Sequence, residues 1–216
     1  MCLGIFSEAA GLARISAMIG LARVFSLFDQ EHTETLGYSD LVVCSQSPTP
    51  GASRIMIVAH PDDESLFGGE ALTSSEGWLV ICVTNASNAT RRAEFMNAMS
   101  LARANYLMLD HADHIANGNF DPALADKLAQ VLAENPFEMV VTHGQAGEYG
   151  HKQHKALHQI VRCLVPACRL FTFGTRWLGR PHMSIAKQQL LRCYRSQNAI
   201  DLFRYMAERE ILEPAA

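Results

Sequence analysis

The chain has 216 residues, of which 49% are hydrophobic and 19% are charged, and its net charge is −4. This length is sufficient for one domain with a sizeable core. The basic residues are scattered along the chain, which excludes the basic stripe of a nucleic-acid-binding protein. The six cysteines form no CxxC pair. Cys82 and Cys163 lie in strand-like and helix-like runs, where they are interpreted as small buried side chains, and this usage favours a reducing cytoplasm.

Residues 1–50 are predicted to be an N-terminal helical extension and linker, and residues 51–216 the main domain. Leu12, Ile15 and Ile19 follow helical spacing. Charged residues interrupt this apolar stretch, so it does not resemble a signal peptide, and no run is long enough to span a bilayer. We expect the helix to pack on the domain or on a partner copy rather than on a membrane surface. A homo-oligomer is compatible with the sequence.

Further along the chain, short β-branched runs alternate with longer helical stretches. Strands are predicted at 41–44 (an edge strand), 54–59, 78–84, 106–109, 137–142 and 169–173. Helices are predicted at 65–75, 90–104, 122–134, 151–164 and 184–210, the last as one helix or as two. This alternation predicts an α/β fold in which a mostly parallel sheet is covered by helices on both faces.

Polar residues follow four of the predicted parallel strands. These segments are His60-Pro-Asp-Asp, the loop beginning at Asn85, Asp110-His111, and residues 143–154. Because open α/β sheets bind ligands at the carboxyl ends of their strands, the four segments are predicted to form one site.

The segment after the first of these strands contains His60, Asp62 and Asp63, and the chain later presents His151 and His154 at the start of a helix. Two histidines and one carboxylate with an open position are typical of a catalytic metal site. The alternative for each residue alone is a helix-capping role. His143 is interpreted as a hydrogen-bonded residue behind the site and His158 as a packed helix histidine.

Three functions can use such a set. A metal-dependent hydrolase needs the metal, a carboxylate base and donors for the oxyanion. A ferrous-iron oxygenase can also use two histidines and one aspartate, although the spacing and the helix–strand alternation argue against it. A non-catalytic sugar-binding module is the third alternative, but binding alone needs no base.

The chain resembles the PIG-L/LmbE-like zinc-dependent N-deacetylases. The resemblance rests on Ala59-His60-Pro61-Asp62-Asp63-Glu64 at a strand end and on Gly147-Glu148-Tyr149-Gly150-His151-Lys-Gln-His154 at a helix start. Tyr194-Arg-Ser196-Gln197 adds a weaker match. The resemblance implies a Rossmann-like fold and removal of an acetyl group from an N-acetylated amino-sugar conjugate, such as an N-acetylglucosaminyl compound.

The resemblance also implies a role for individual residues. His60, Asp63 and His154 look like the ligands of Zn²⁺, a site that Fe²⁺ could also occupy in cells. Asp62 looks like the general base and His151 like the group that protonates the leaving amine. The remaining implied roles are an oxyanion donor, Tyr149, and substrate contacts from Arg91 or Arg92 and from Asn85.

The chain departs from the family pattern at two places. Lys152-Gln153 stands where related sequences often have Pro-Asp, so a carboxylate beside the metal histidines is missing. The loop Asn85-Ala-Ser-Asn88 replaces a loop with glycine and acidic residues. We therefore expect the substrate pocket to differ from that of other members.

Overall fold

The computed structural model describes residues 42–44, 52–113, 118–177, 183–197 and 208–215. The predicted N-terminal helix lies outside these ranges, as does nearly all of the predicted linker. Within the described part of the chain, no helix is both long and apolar enough to cross a membrane.

Seven strands of the described part of the chain form a single sheet. In chain order they are β1 (Val42–Cys44), β2 (Arg54–Val58), β3 (Trp78–Thr84), β4 (Asn105–His111), β5 (Met139–Thr142), β6 (Leu170–Trp177) and β7 (Glu208–Pro214). Their order across the sheet is β1-β4-β3-β2-β5-β6-β7. The five central strands are mutually parallel, while β1 and β7 pair antiparallel at the two edges. The prediction of a mostly parallel sheet is confirmed.

Within the described ranges, five α-helices cover the two faces of this sheet. They are α1 (Asp63–Ser74), α2 (Ala89–Ala102), α3 (Ala123–Glu134), α4 (Lys152–Leu164) and α5 (Ile185–Leu191). Side chains of α1, α2 and α5 pack in one hydrophobic cluster, and those of α3 and α4 pack in a second. The central strands are buried on both faces, so their sequences are continuous apolar runs. In β2, Met56 and Val58 belong to the first cluster, whereas Ile55 and Ile57 belong to the second.

The sheet order reverses at β2. The chain continues from β2 to β3 and β4 on one side, and from β5 to β6 on the other, so β2 lies between β3 and β5. Ile57 of β2 is aligned with Ile81 of β3 and with Thr142 of β5. Loops that leave neighbouring strands in opposite directions open a crevice at their carboxyl ends, which is where such sheets bind ligands.

The paired glycines of α1 allow close packing of that helix. A Cβ on Gly68 would lie 2.5 Å from Cε of Met56, and one on Gly69 would lie 2.9 Å from Cγ of Lys187. Lys187 is buried, and its ammonium group donates to the carbonyl of Leu66 at 2.7 Å. Both glycines therefore let α1 approach its neighbours closely.

Three expectations are wrong in detail. The predicted helix over 184–210 is interrupted: α5 ends at Leu191, and Glu208–Pro214 forms an antiparallel edge strand against β6. Asp110 and His111 are the last residues of β4 and not part of a loop. Cys163 lies exposed on α4, whereas Cys82 is buried as expected.

Candidate metal and hydrolysis site

Three side-chain atoms form a nearly equilateral triangle at the crevice beside β2. Nδ1 of His60 lies 3.2 Å from Oδ2 of Asp63 and 3.2 Å from Nε2 of His154. The third side, from Nε2 of His154 to Oδ2 of Asp63, is 3.3 Å. His60 and Asp63 come from the turn after β2, and His154 comes from the first turn of α4, so the crevice itself brings them together.

This triangle fits a small divalent metal. In a tetrahedral site with ligand bonds of about 2.0–2.1 Å, ligand atoms lie about 3.3–3.4 Å apart. Burial alone would raise the pKa of Asp63, but His154 and His143 outweigh burial and hold this pKa well below its usual value. The carboxylate is therefore ionised, as a metal ligand must be.

The charge state of His60 depends on whether a metal is bound. Burial alone would lower its pKa, yet the carboxylates of Asp113 and Asp63 outweigh burial and raise the pKa to about 11. The imidazole is thus protonated in the metal-free site. A metal ion has to displace that proton before it can bind Nδ1.

Asp62 occupies a strained position immediately before α1. Its φ of 121° falls in a region that residues other than glycine rarely adopt. Its side chain makes no capping hydrogen bond to the helix, so the helix-capping alternative for Asp62 is wrong. Its backbone N–H donates to Oε2 of Glu64 at 3.1 Å, which holds the unusual conformation in place. Strain of this kind is concentrated at functional sites.

Arg91 connects Asp62 with the C-terminal motif. Its guanidinium donates to Oδ2 of Asp62 at 3.0 Å and to the carbonyl of Pro61. The same group donates to Glu94 at 3.1 Å, and Glu94 accepts from the backbone and the hydroxyl of Ser196 at 2.6 and 2.7 Å. Tyr194, the first residue of the same motif, donates a hydrogen bond from its hydroxyl to Glu64 at 2.5 Å.

The neighbouring arginine points elsewhere. Arg92 donates to the carbonyl of Ala86 at 2.6 Å and to no residue of the metal triangle. The sequence could not separate Arg91 from Arg92, whereas the structure joins only Arg91 to Asp62.

Glu148 orients two histidines from behind. Its Oε2 lies 2.6 Å from Nδ1 of His154 and 2.9 Å from Nδ1 of His143. Burial alone would raise the pKa of Glu148, but His143 and His154 outweigh burial and lower it to about 2. An ionised carboxylate at Nδ1 makes this nitrogen of His154 the donor and leaves Nε2 to face the triangle, an arrangement common behind metal-bound histidines.

Both ring nitrogens of His143 have partners around the site. Its ring stacks on that of His154 at 3.7 Å, and its Nε2 accepts the backbone N–H of Ala59 at 3.0 Å. Its Nε2 also lies 3.4 Å from Asp63, so it is close enough to join a metal group. With both ring nitrogens already paired, His143 acts behind the site. His158 lies one layer further back, with its Nδ1 2.9 Å from the His143 carbonyl.

His151 and Tyr149 line the mouth of the site. The ring of His151 lies 4.8 Å from that of His60, and its Nδ1 is buried without a hydrogen-bond partner among the residues that the structure describes. Burial and the neighbouring imidazoles of His154 and His60 lower its pKa to about 4, so His151 is a neutral imidazole near pH 7. Tyr149 is 51% exposed, with its ring 5.7 Å from that of His151.

The outer edge of His60 has two contacts that the sequence did not reveal. Oε1 of Gln153 lies 2.9 Å from Nε2 of His60, and Oδ1 of Asp113 lies 3.4 Å from it. Asn85, predicted to contact substrate, donates to Oδ2 of Asp113 at 3.2 Å. No role was predicted for Asp113 or Glu148. Glu148 lies in the polar segment 143–154, which was a signal for it, whereas Asp113 lies two residues beyond Asp110-His111.

The chain matches the family model described as PIG-L: GlcNAc-PI de-N-acetylase over residues 55–165. It is 35% identical over 182 residues to an uncharacterized protein of Acanthamoeba polyphaga mimivirus, covering 76% of this chain and 80% of that protein. It is 27% identical over 131 residues to the N-acetylglucosaminyl-phosphatidylinositol de-N-acetylase of Bos taurus, covering 54% of this chain and 52% of the bovine protein. The chain therefore belongs to the PIG-L family, whose membership indicates a deacetylase and hence a hydrolase.

Solved structures agree on the fold. A deacetylase of the teicoplanin biosynthetic pathway, solved as a triple mutant, has a TM-score of 0.55 at 18% identity, covering 70% of this chain and 88% of that chain. The 4-carboxy-2-hydroxymuconate hydratase of Pseudomonas putida has a TM-score of 0.51 at 17% identity, covering 71% and 82%. Because a hydratase shares this fold, the reaction has to be argued from the site.

Proposed function

We propose that this protein hydrolyses the N-acetyl group of an N-acetylglucosaminyl conjugate in a reaction that depends on a divalent metal, most simply Zn²⁺. The observation that carries the proposal is the triangle of His60, Asp63 and His154, with the separate carboxylate of Asp62 beside it. Family membership and the name of the bovine relative support the amino-sugar substrate.

Each residue has a distinct task in this proposal. The three ligands would hold the metal, which when bound supplies Lewis-acid activation of the attacking water and of the amide carbonyl. Asp62, oriented by Arg91, accepts the proton of the water. His151 is neutral at rest, so as negative charge develops on the oxygen of the amide it can take up the proton that Asp62 has removed from the water. It then delivers this proton to the leaving amine, and Asp62 is again a carboxylate.

The substrate enters past the exposed Tyr149, whose hydroxyl we propose as a further donor to that oxygen. Gly150, which follows it, has a φ of +94°, and a Cβ at this position would meet no atom within 4 Å. The backbone beside the tyrosine therefore has room to turn at the mouth. Among the two arginines, Arg91 is proposed to act at the site, because only Arg91 contacts Asp62.

The test is an acetate-release screen over N-acetylglucosaminyl conjugates, with metal content measured on the same protein. We expect about one divalent ion per chain and release of acetate with at least one conjugate. Asp62→Asn should keep the metal and lose about 10²–10⁴-fold in rate, since it removes the base. The matched control is Asp126→Asn, on the exposed face of α3, which should behave as wild type.

Other results would point to the alternatives. Metal binding without acetate release over the whole panel, together with sugar binding, would favour a binding module. Oxygen consumption that requires ferrous iron would favour an oxygenase. Absence of any bound divalent metal in protein purified without chelator would refute the proposed mechanism.

A further inference from the structure

The protonation of Nε2 of His60 determines whether Nδ1 of the same ring has a lone pair for a metal. Nδ1 faces the triangle, whereas Nε2 faces Gln153 at 2.9 Å and Asp113 at 3.4 Å. A neutral imidazole has one N–H and one lone pair. The lone pair therefore points toward Asp63 and His154 only if Nε2 carries the hydrogen.

The orientation of the Gln153 amide is determined by its other end. Its Nε2 donates to the carbonyl of Ala112 at 2.9 Å, and the whole residue is buried. Because a backbone carbonyl can only accept, the amide nitrogen has to face Ala112, and the amide oxygen then has to face His60. An amide oxygen only accepts, so Nε2 of His60 is the donor. Gln153 thus selects the tautomer of His60 that leaves Nδ1 open.

Asp113 adds a negative charge to the same nitrogen. It follows β4, and its second carboxylate oxygen accepts from Nδ2 of Asn85 at 3.2 Å. Asn85 in turn donates to the hydroxyl of Thr84 at 2.9 Å. The carboxylate is thereby tied to the end of β3, although its side chain is 40% exposed. A carboxylate behind a metal-bound histidine holds the ring and increases its basicity.

We propose that Gln153 and Asp113 together position His60, Gln153 from α4 and Asp113 from the loop after β4. Gln153 supplies a hydrogen bond without a charge. Asp113 supplies the charge from a segment distant in sequence. Both are positioning residues, and the inference rests on the metal site of the proposed function.

Metal affinity and reciprocal rescue test this division of tasks. Dissociation constants for Zn²⁺ would be measured by chelator competition for wild type, Asp113→Asn, Gln153→Leu and the double variant Asp113→Asn/Gln153→Asp. We expect each single variant to bind about 10–100-fold more weakly. The double variant, which places the carboxylate on α4, should recover most of the affinity that Asp113→Asn loses. Asp126→Asn removes an equal charge elsewhere and should change nothing.

A spectroscopic readout separates positioning from general stability. In the Zn²⁺-loaded protein, the hydrogen-bonded Nε2–H of His60 should give a proton resonance that moves upfield in Gln153→Leu. Asp113→Asn preserves shape at a partly exposed position, so it keeps the test decisive if the buried Gln153→Leu variant fails to fold.

The outcomes distinguish this inference from the proposed function. If wild type and Asp113→Asn bind Zn²⁺ with equal affinity, the proposed role of Asp113 is overturned. An unrescued double variant would show that a negative charge behind His60 is not what Asp113 contributes. Wild type that binds no metal would refute the metal site itself, and the positioning roles with it.

Discussion

Replacing Arg91 with methionine should move the acid limb of the activity profile to higher pH. Burial and the charge of Asp63 raise the pKa of Asp62 to about 8, even though the charge of Arg91 lowers it. At the observed 3.0 Å and an effective dielectric constant of about 40, the Arg91–Asp62 attraction is about 3 kcal/mol, or about 2 pKa units. Loss of the arginine therefore raises the pKa of the base by about this amount.

The sign follows from the role of Asp62. The base acts only when it is deprotonated, so a higher pKa lowers its active fraction at neutral pH and the activity returns as the pH rises. A bound metal would lower the pKa of Asp62 in both proteins, which leaves the difference between them. We expect kcat/KM of Arg91→Met to fall near pH 7 by as much as about 100-fold, with the acid limb shifted upward by about 2 pH units.

The assay is the pH profile of kcat/KM for acetate release, measured on the best conjugate of the screen. Arg91→Lys retains the charge and should lie close to wild type, and Arg92→Met should not shift the limb, because Arg92 donates to Ala86. Thermal unfolding would check each variant, since Glu94 also loses a partner. A loss of activity that is the same at every pH would refute the reasoning and make Arg91 a substrate contact only.

Two further predictions concern metal uptake and packing. The carboxylates of Asp113 and Asp63 raise the pKa of His60 to about 11, so metal binding near pH 8 should release about one proton. Calorimetry in buffers of different ionisation enthalpy measures this release. Equal heats of binding in all buffers would contradict the prediction. Gly69→Ala should destabilise the fold by about 1–3 kcal/mol in urea unfolding, because the new methyl would lie 2.9 Å from Cγ of Lys187; a more stable variant would contradict the packing argument.

Much of the fold could be predicted from periodicity. The β3 strand has the predicted bounds, Trp78–Thr84, and the edge strand β1 lies where four apolar residues indicated one. The C-terminal strand could not be recognised, because Glu208-Arg-Glu210 reads as a charged helix end. Edge strands accept such charges, and the pairing of β7 with β6 comes from tertiary structure.

The site was predictable only in part. Spacing and strand order predicted one site that includes both histidine and aspartate clusters, and the family resemblance selected His60, Asp63 and His154 as ligands. The structure places the ligand atoms of these three residues in one triangle. Residues that act from behind, such as Asp113 and Gln153, could not be assigned, because their contacts depend on register between distant segments. The φ of 121° at Asp62 could not be predicted from the sequence either, because an aspartate does not indicate such a backbone angle.

The hydrogen bonds of the C-terminal motif impose an order on the maturation of the site. All three proposed metal ligands have been synthesised once residue 154 has left the ribosome. The base, however, is held by Arg91 through Glu94 and Ser196, and its backbone is held through Glu64 and Tyr194. During synthesis, the chain therefore contains all three proposed ligands some forty residues before it contains Ser196. The groups that hold Asp62 are completed after the groups that would hold the metal.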